Sequence, residues 1–205
     1  YKLNNKITIL NPSIDTRKYH LYNKIEDYYL VVSRLEKYKK VDLVIKAFNQ
    51  LGFRLKIVGR GIEKENLINI AKSNIEFVED IDDKELADLY SKCKAFIFPQ
   101  HEDYGLTPLE ANASGRPVIA YQRGGVETTM VPFNKEKPES PFTALFFNEQ
   151  NIKSLISAVE FLNKLKIDSF FIRSHAEKFD DNNFINNIKE FVSTEFTIHK
   201  EKNKG

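Results

Sequence analysis

Two glutamates eight positions apart, Glu102 and Glu110, and two cations five apart, Arg34 and Lys39, are the residues of this chain best suited to chemistry. Carboxylates orient hydroxyl groups, and a cation pair neutralises a phosphate chain without a metal. Each group lies in a polar stretch with a local reading of its own. Ser33-Arg-Leu-Glu-Lys-Tyr-Lys-Lys carries four cations and is either a solvated basic turn or a diphosphate site. Pro99 to Glu110 is long and polar, and Gly105, Leu106 and Thr107 offer N–H groups at a helix start, which suits an anion. Glu110 admits two roles. It can meet a ligand, or it can close a capping box Thr107-Pro-Leu-Glu with Pro108 at the first helical position. Gly59-Arg-Gly brings backbone close to a ligand or simply makes a tight turn. Gln122-Arg-Gly-Gly-Val-Glu-Thr is open to the same choice, a cradle for phosphate or sugar hydroxyls or a flexible turn.

The remaining reactive types are less promising. His20, His101, His175 and His199 show no metal-ligand spacing, and His101 is read as a neighbour of the motif rather than a base. The single cysteine, Cys93, excludes an internal disulfide and a cysteine metal cluster, and its setting is that of a small packing residue.

The elements that must hold these loops follow a rhythm. Lys6 to Leu10 is a short apolar run broken by Asn11-Pro12, and a connecting loop runs from Ser13 to Asn23. Tyr28–Val32 is then a continuous apolar run, and further strands are expected at Leu55–Val58, Ile75–Val78, Ala95–Phe98, Pro117–Tyr121 and Leu145–Phe147. Their length and β-branched character suit buried parallel strands. Helical spacing fills the intervals. Val41, Val44, Ile45, Phe48 and Leu51 share one face, Gly52 ends that helix, and Asp82 with Glu85 forms a capping box for another. Further helices are expected at Glu63–Ser73, at Thr107 up to Gly115, and at Ile152–Leu165, Asp168–Lys178 and Asn182–Phe196, before a polar tail from His199 that should fray. Alternating strands and helices imply an α/β fold, a Rossmann-like parallel sheet with helices on both faces. Ligands of such sheets bind outside the carboxyl ends of the strands, where these loops lie.

Composition narrows the class. At 205 residues the chain fits one domain, and a net charge of +2 is too small to make nucleic acid its main partner. No apolar run approaches bilayer length, and the first residues do not form a signal peptide. The chain opens on Tyr1 rather than methionine, so a piece of a longer protein is expected. No complete G-x-G-x-x-G follows the first strand, which argues against a dinucleotide-dependent dehydrogenase.

Taken in order, Val32–Phe48, Ile57-Val-Gly-Arg-Gly, Phe96–Ala111 and Gly115–Gly125 resemble the C-terminal, donor-binding half of a family-4 retaining glycosyltransferase of the GT-B fold. The resemblance covers residues 6–195 and implies roles by position. Arg34 and Lys39 match the cations on the donor diphosphate, and Glu102 the carboxylate near the transferred sugar. Glu110 matches the glutamate on the ribose hydroxyls. Gly105 and Leu106 would contact sugar or phosphate, Gly59 would admit the nucleotide, and Val78 would touch the base. Gly124-Gly125-Val126-Glu127 is one residue shorter than the usual spacing, which sets Glu127 aside. The wording Ser-Arg-Leu-x-x-Tyr-Lys and His-Glu-Asp-Tyr-Gly is most similar to bacterial mannosyltransferases of O-antigen and other surface polysaccharides, which use GDP-mannose.

The resemblance further implies a nucleotide-sugar substrate, no cofactor and no metal, a glycan or lipid-linked acceptor, and a cytoplasmic location that can be peripheral at the inner membrane face. The expected organisation is a lead-in strand and linker over 1–24, the nucleotide-sugar-binding domain over 25–178, and a C-terminal helix and tail over 179–205. The acceptor domain would be absent, so that the chain binds donor and turns over poorly. Phe184, Ile188, Phe191 and Val192 form an apolar stripe on the last helix. Most of it is expected to pack on the domain's own core, and the distal end to be exposed or self-associated. Two other classes fit less of the pattern: a non-catalytic nucleotide-sugar-binding scaffold, and a GT-B epimerase or phosphorylase fragment.

Overall fold

A computed structural model of the chain describes residues 8–202, with the side chains of residues 201 and 202 left aside. The first part of the Lys6–Leu10 run lies outside the described residues.

Six strands, all parallel, form one sheet in the order β3-β2-β1-β4-β5-β6. They are β1 (Tyr29–Val32), β2 (Leu55–Val58), β3 (Ile75–Val78), β4 (Phe96–Phe98), β5 (Val118–Tyr121) and β6 (Ala144–Phe147). Each is short, and alternate residues feed opposite cores. Tyr29, Val31, Leu55, Ile57, Ile97, Ile119, Leu145 and Phe147 face one core, which α1 (Val41–Leu51) and α6 (Ile152–Leu162) cover. Leu30, Val58, Phe96, Phe98, Val118, Ala120 and Ala144 face the other. There α3 (Asp83–Lys92), α4 (Leu106–Ala113) and α7 (Ser169–Ala176) contribute Tyr90, Leu109, Ala111, Ala113 and Ala176. Burial on both faces is why β1, β4, β5 and β6 read as unbroken apolar runs, whereas β2 and β3 each carry one charged residue, Lys56 and Glu76. The remaining helices are α2 (Lys64–Ile70), the single turn α5 (Val126–Thr129) and α8 (Asp181–Lys202).

Local signals mostly act as the sequence suggests. Gly52 ends α1 at φ +70, a left-handed conformation that glycine adopts without strain. Asp82 and Glu85 make the reciprocal capping box of α3. Cys93 is buried and its thiol donates to the Tyr90 carbonyl; burial pushes the thiol up to about 12, far from a reactive thiolate.

Two expectations are overturned. α4 begins at Leu106 on Gly105 (φ +88), with no side-chain cap. Pro108 is therefore third in the helix rather than first, and Glu110 lies too far along it to reach the start. The stripe on α8 joins neither core: Phe184 and Phe191 are half-buried, while Ile188 is 36 % exposed and Val192 57 %. The helix instead packs mainly against the 3-10 turn Glu177–Phe179 and runs on to Lys202, where fraying was expected from His199.

The start of α8 is nonetheless fastened. Ile14 pairs in parallel with Asp180, and Asp181 N–H donates to the Ile14 carbonyl. The Thr16 hydroxyl donates to Asp180 Oδ2 at 2.6 Å.

Candidate active site: a crevice between β1 and β4

Successive strands step outward from β1 through β2 to β3, and then from β4 through β5 to β6 in the other direction. The reversal between β1 and β4 opens a crevice at their carboxyl ends, where ligands of doubly wound sheets lie. The loop after β1 carries Arg34 and Lys39, and the loop after β4 carries Glu102. Across the crevice the Lys39 ammonium forms an ion pair with Glu102 Oε1. Both are largely withdrawn from water, at 13 % and 26 % side-chain exposure. Arg34 is exposed and donates to the Tyr38 hydroxyl at 2.7 Å, while the Tyr38 ring lies 4.9 Å from the Lys39 ammonium. Tyr38 therefore links the two cations.

The glycines explain how the loops keep this shape. A Cβ on Gly59 (φ +147) would sit 1.8 Å from the Ser33 carbonyl oxygen, and one on Gly61 would sit 2.3 Å from that of Leu35. Backbone bonds from Ser33 to Val58 and from Leu35 to Arg60 carry the β1–β2 ladder into the loops. The close approach that demands Gly59 is thus chain to chain. On the other side, Glu102 bridges in parallel to Gly124, and Gly125 N–H donates to the Glu102 carbonyl at 2.9 Å. A Cβ on Gly124 would lie 2.1 Å from that carbonyl oxygen. The 122–127 loop is a fixed buttress for Glu102, and Glu127 closes it by accepting from Gly124 N–H at 3.1 Å. His101 is exposed, and its ring lies against Gly124.

Glu110 sits half-buried in α4, apart from the ion pair. Its Oε2 accepts the Tyr90 hydroxyl at 2.8 Å. Burial holds its pKa above the ordinary carboxylate value, and the hydroxyls of Tyr90 and Tyr19 act in the opposite direction. At the start of the same helix, Gly105 and Leu106 present backbone with no side-chain cap, Leu106 is exposed and Thr107 half-covered. Val78 ends β3, half-buried.

The structure therefore joins Lys39 with Glu102 directly and Arg34 to Lys39 through Tyr38; Glu110 has partners of its own. Tyr38, Tyr90 and Tyr19 were not predicted as site residues. Tyr38 lies inside the motif, but the pairing of Tyr90 with Glu110 spans 20 residues and leaves no mark in local sequence.

A parallel α/β sheet with helices on both faces and a strand reversal at its centre is a Rossmann-like domain. The chain belongs to the glycosyl transferases group 1, whose family model matches residues 13–183. It is 28 % identical over 173 residues to an uncharacterized glycosyltransferase of Haemophilus influenzae, covering 79 % of this chain and 46 % of that protein. It is 31 % identical over 142 residues to the O-antigen biosynthesis glycosyltransferase WclY of Escherichia coli, covering 66 % and 37 %. The chain thus spans less than half the length of these relatives. Anabaena HepE in complex with UDP and glucose has the same fold, with a TM-score of 0.73 at 17 % identity over 91 % of this chain and 56 % of that one. No helix among the described residues is long and apolar enough to cross a membrane.

Proposed function

We propose that this chain is the donor-binding half of a retaining, family-4 sugar transferase that builds a surface polysaccharide, with GDP-mannose as donor. The observation that carries the reading is the Lys39–Glu102 pair across the strand-reversal crevice, with Arg34 joined to it through Tyr38. Cleaving the anomeric C–O bond builds negative charge on the departing diphosphate and positive charge on the sugar. Lys39 and Arg34 face the first, assisted by the N–H groups at the start of α4. Glu102, freed when Lys39 turns to phosphate, orients sugar hydroxyls. The acceptor hydroxyl takes the place of the diphosphate on the same face and passes its proton to the departing diphosphate oxygen. No step in this scheme calls for a metal.

Glu110 takes the ribose hydroxyls, Val78 borders the base, and Gly59, Gly105 and Leu106 line the donor path. The likeness to WclY supports polysaccharide assembly, and the motif wording supports mannose. A second, acceptor-binding domain completes the site, and the exposed face of α8 is its natural contact.

Calorimetric titration with GDP, UDP, ADP and their sugars tests the donor. Binding of GDP and GDP-mannose, with UDP-sugars silent, is the expected result. Preference for a UDP-sugar overturns the mannose assignment, and no binding by any nucleotide overturns the whole reading.

A further inference from the structure

Glu110 poses a physical problem that its proposed role does not by itself solve. A carboxylate withdrawn from water destabilises a fold unless hydrogen bonds or a cation satisfy it. No ion pair reaches Glu110 among the described residues. Lys18 and Asp83, the charges nearest in effect, pair with each other at 3.2 Å and largely cancel. What holds Glu110 is the hydroxyl of Tyr90 from α3, and Tyr19, which follows the 3-10 turn Thr16–Lys18, favours its ionised form in the same direction. Tyr90 is fully buried, and its ring is set between Tyr19 (edge-on, 5.9 Å) and Phe96 (5.6 Å). The Tyr90 hydroxyl keeps its proton, because burial and the adjacent carboxylate both push its pKa up. It is a fixed donor aimed at one oxygen.

We infer that Tyr90 is a positioning residue of the donor site, whose buried hydroxyl fixes the Glu110 carboxylate so that its remaining acceptor sites meet the vicinal hydroxyls of a ribose. Tyr19 supports it from the other segment. This rests on the proposed function and adds to it the group through which that function is tuned. A carboxylate offers about four acceptor positions. One is taken by Tyr90, and hydroxyl partners, unlike a lysine, leave the negative charge available to further O–H donors. Glu110 is faced by Tyr90 and Asp83 of α3 and by Tyr19 and Lys18 of the leading segment; burial is the largest influence on its ionisation, and the two tyrosines are the main groups that oppose it.

The test is Tyr90→Phe, which keeps the ring and removes only the hydroxyl. The probes are GDP or UDP, whichever the wild type binds, and its 2′,3′-dideoxy analogue, titrated from about pH 5 to 8. The variant should bind the ribonucleotide about tenfold more weakly, the cost of one lost charged hydrogen bond, and bind the dideoxy analogue like the wild type. Its ribonucleotide affinity should also fade at a higher pH than that of the wild type, because Glu110 loses a donor that favours its ionised form. Unchanged affinity for both probes, or an equal loss for both, overturns the inference while leaving the proposed function standing. A wild type that binds no nucleotide overturns the proposed function itself. Should Tyr90→Phe fail to fold, the same comparison on Tyr19→Phe decides by the same outcomes.

Discussion

Lys39 cannot hold Glu102 and a phosphate equally well, and this competition makes the unliganded ion pair informative. Removing the carboxylate charge by Glu102→Gln frees the ammonium. Free nucleoside diphosphate should then bind severalfold more tightly, while sugar transfer by the proposed two-domain enzyme should fall by about 100-fold. Calorimetry and a transfer assay read the two effects, and weaker diphosphate binding would refute the exchange. A scaffold that merely binds would tolerate Arg34→Ala and Glu110→Gln, whereas an enzyme loses most of its turnover with either. Glu110 also has a cost in stability. Its pKa is raised in the folded state, so the fold favours the protonated carboxyl. Its contribution is fullest below the ordinary carboxylate pKa and declines as pH rises through the raised value. Glu110→Gln should accordingly raise Tm near pH 7.5, with the gain shrinking toward about pH 4. Thermal melts at the two pH values check it.

Among the elements, the strands and most helices were legible in the sequence because burial on two faces writes a local pattern. Tyr29–Val32 and Val118–Tyr121 are unbroken apolar runs, and α1 carries its apolar residues on one face. Where tertiary contact decides, local pattern misleads. Thr107-Pro-Leu-Glu imitates a capping box, yet Gly105 at φ +88 lets α4 start earlier and turns Glu110 toward Tyr90. Gly59 and Gly124 each admitted two readings, space for a ligand or a turn, and each is required by the carbonyl of a neighbouring segment. Lys39 and Glu102 stand out in the sequence because each lies in a polar loop, whereas Tyr90, the partner of Glu110, comes from 20 residues away. The buttress predicts a contrast between two glycines of similar φ. Gly52→Ala meets nothing within 4 Å and should cost only left-handed backbone strain, about 1 kcal/mol. Gly124→Ala must also displace Glu102, and should cost about 2–3 kcal/mol and weaken donor binding. Urea unfolding of both variants measures the difference.

At the scale of the whole molecule, α8 reaches beyond the body it starts from. Since Val192 and Phe196 are more than half exposed, Val192→Asp should leave Tm within about a degree of wild type. The same change should impair activity wherever a second domain completes the enzyme. The chain by itself should bind donor and transfer sugar poorly, and brisk turnover by the 205 residues alone would refute the division of labour.

The pairing of Ile14 with Asp180 carries a kinetic consequence. Ser13 and Asp181, which also bond there, are 168 residues apart, so this seam closes a very long loop. Such closures come late in folding, after local strand and helix pairs have formed. The seam should therefore be the first part of the body to reopen, with amides of residues 14–16 and 180–181 exchanging well before those of β1 and β4. Acid should advance that opening. Hydrogen bonds from Thr16 and Asn182 hold the Asp180 carboxyl down to about 2, so its contribution persists at neutral pH and is lost as pH falls from the ordinary range toward that value. Native-state hydrogen exchange resolved by residue would show the order of opening.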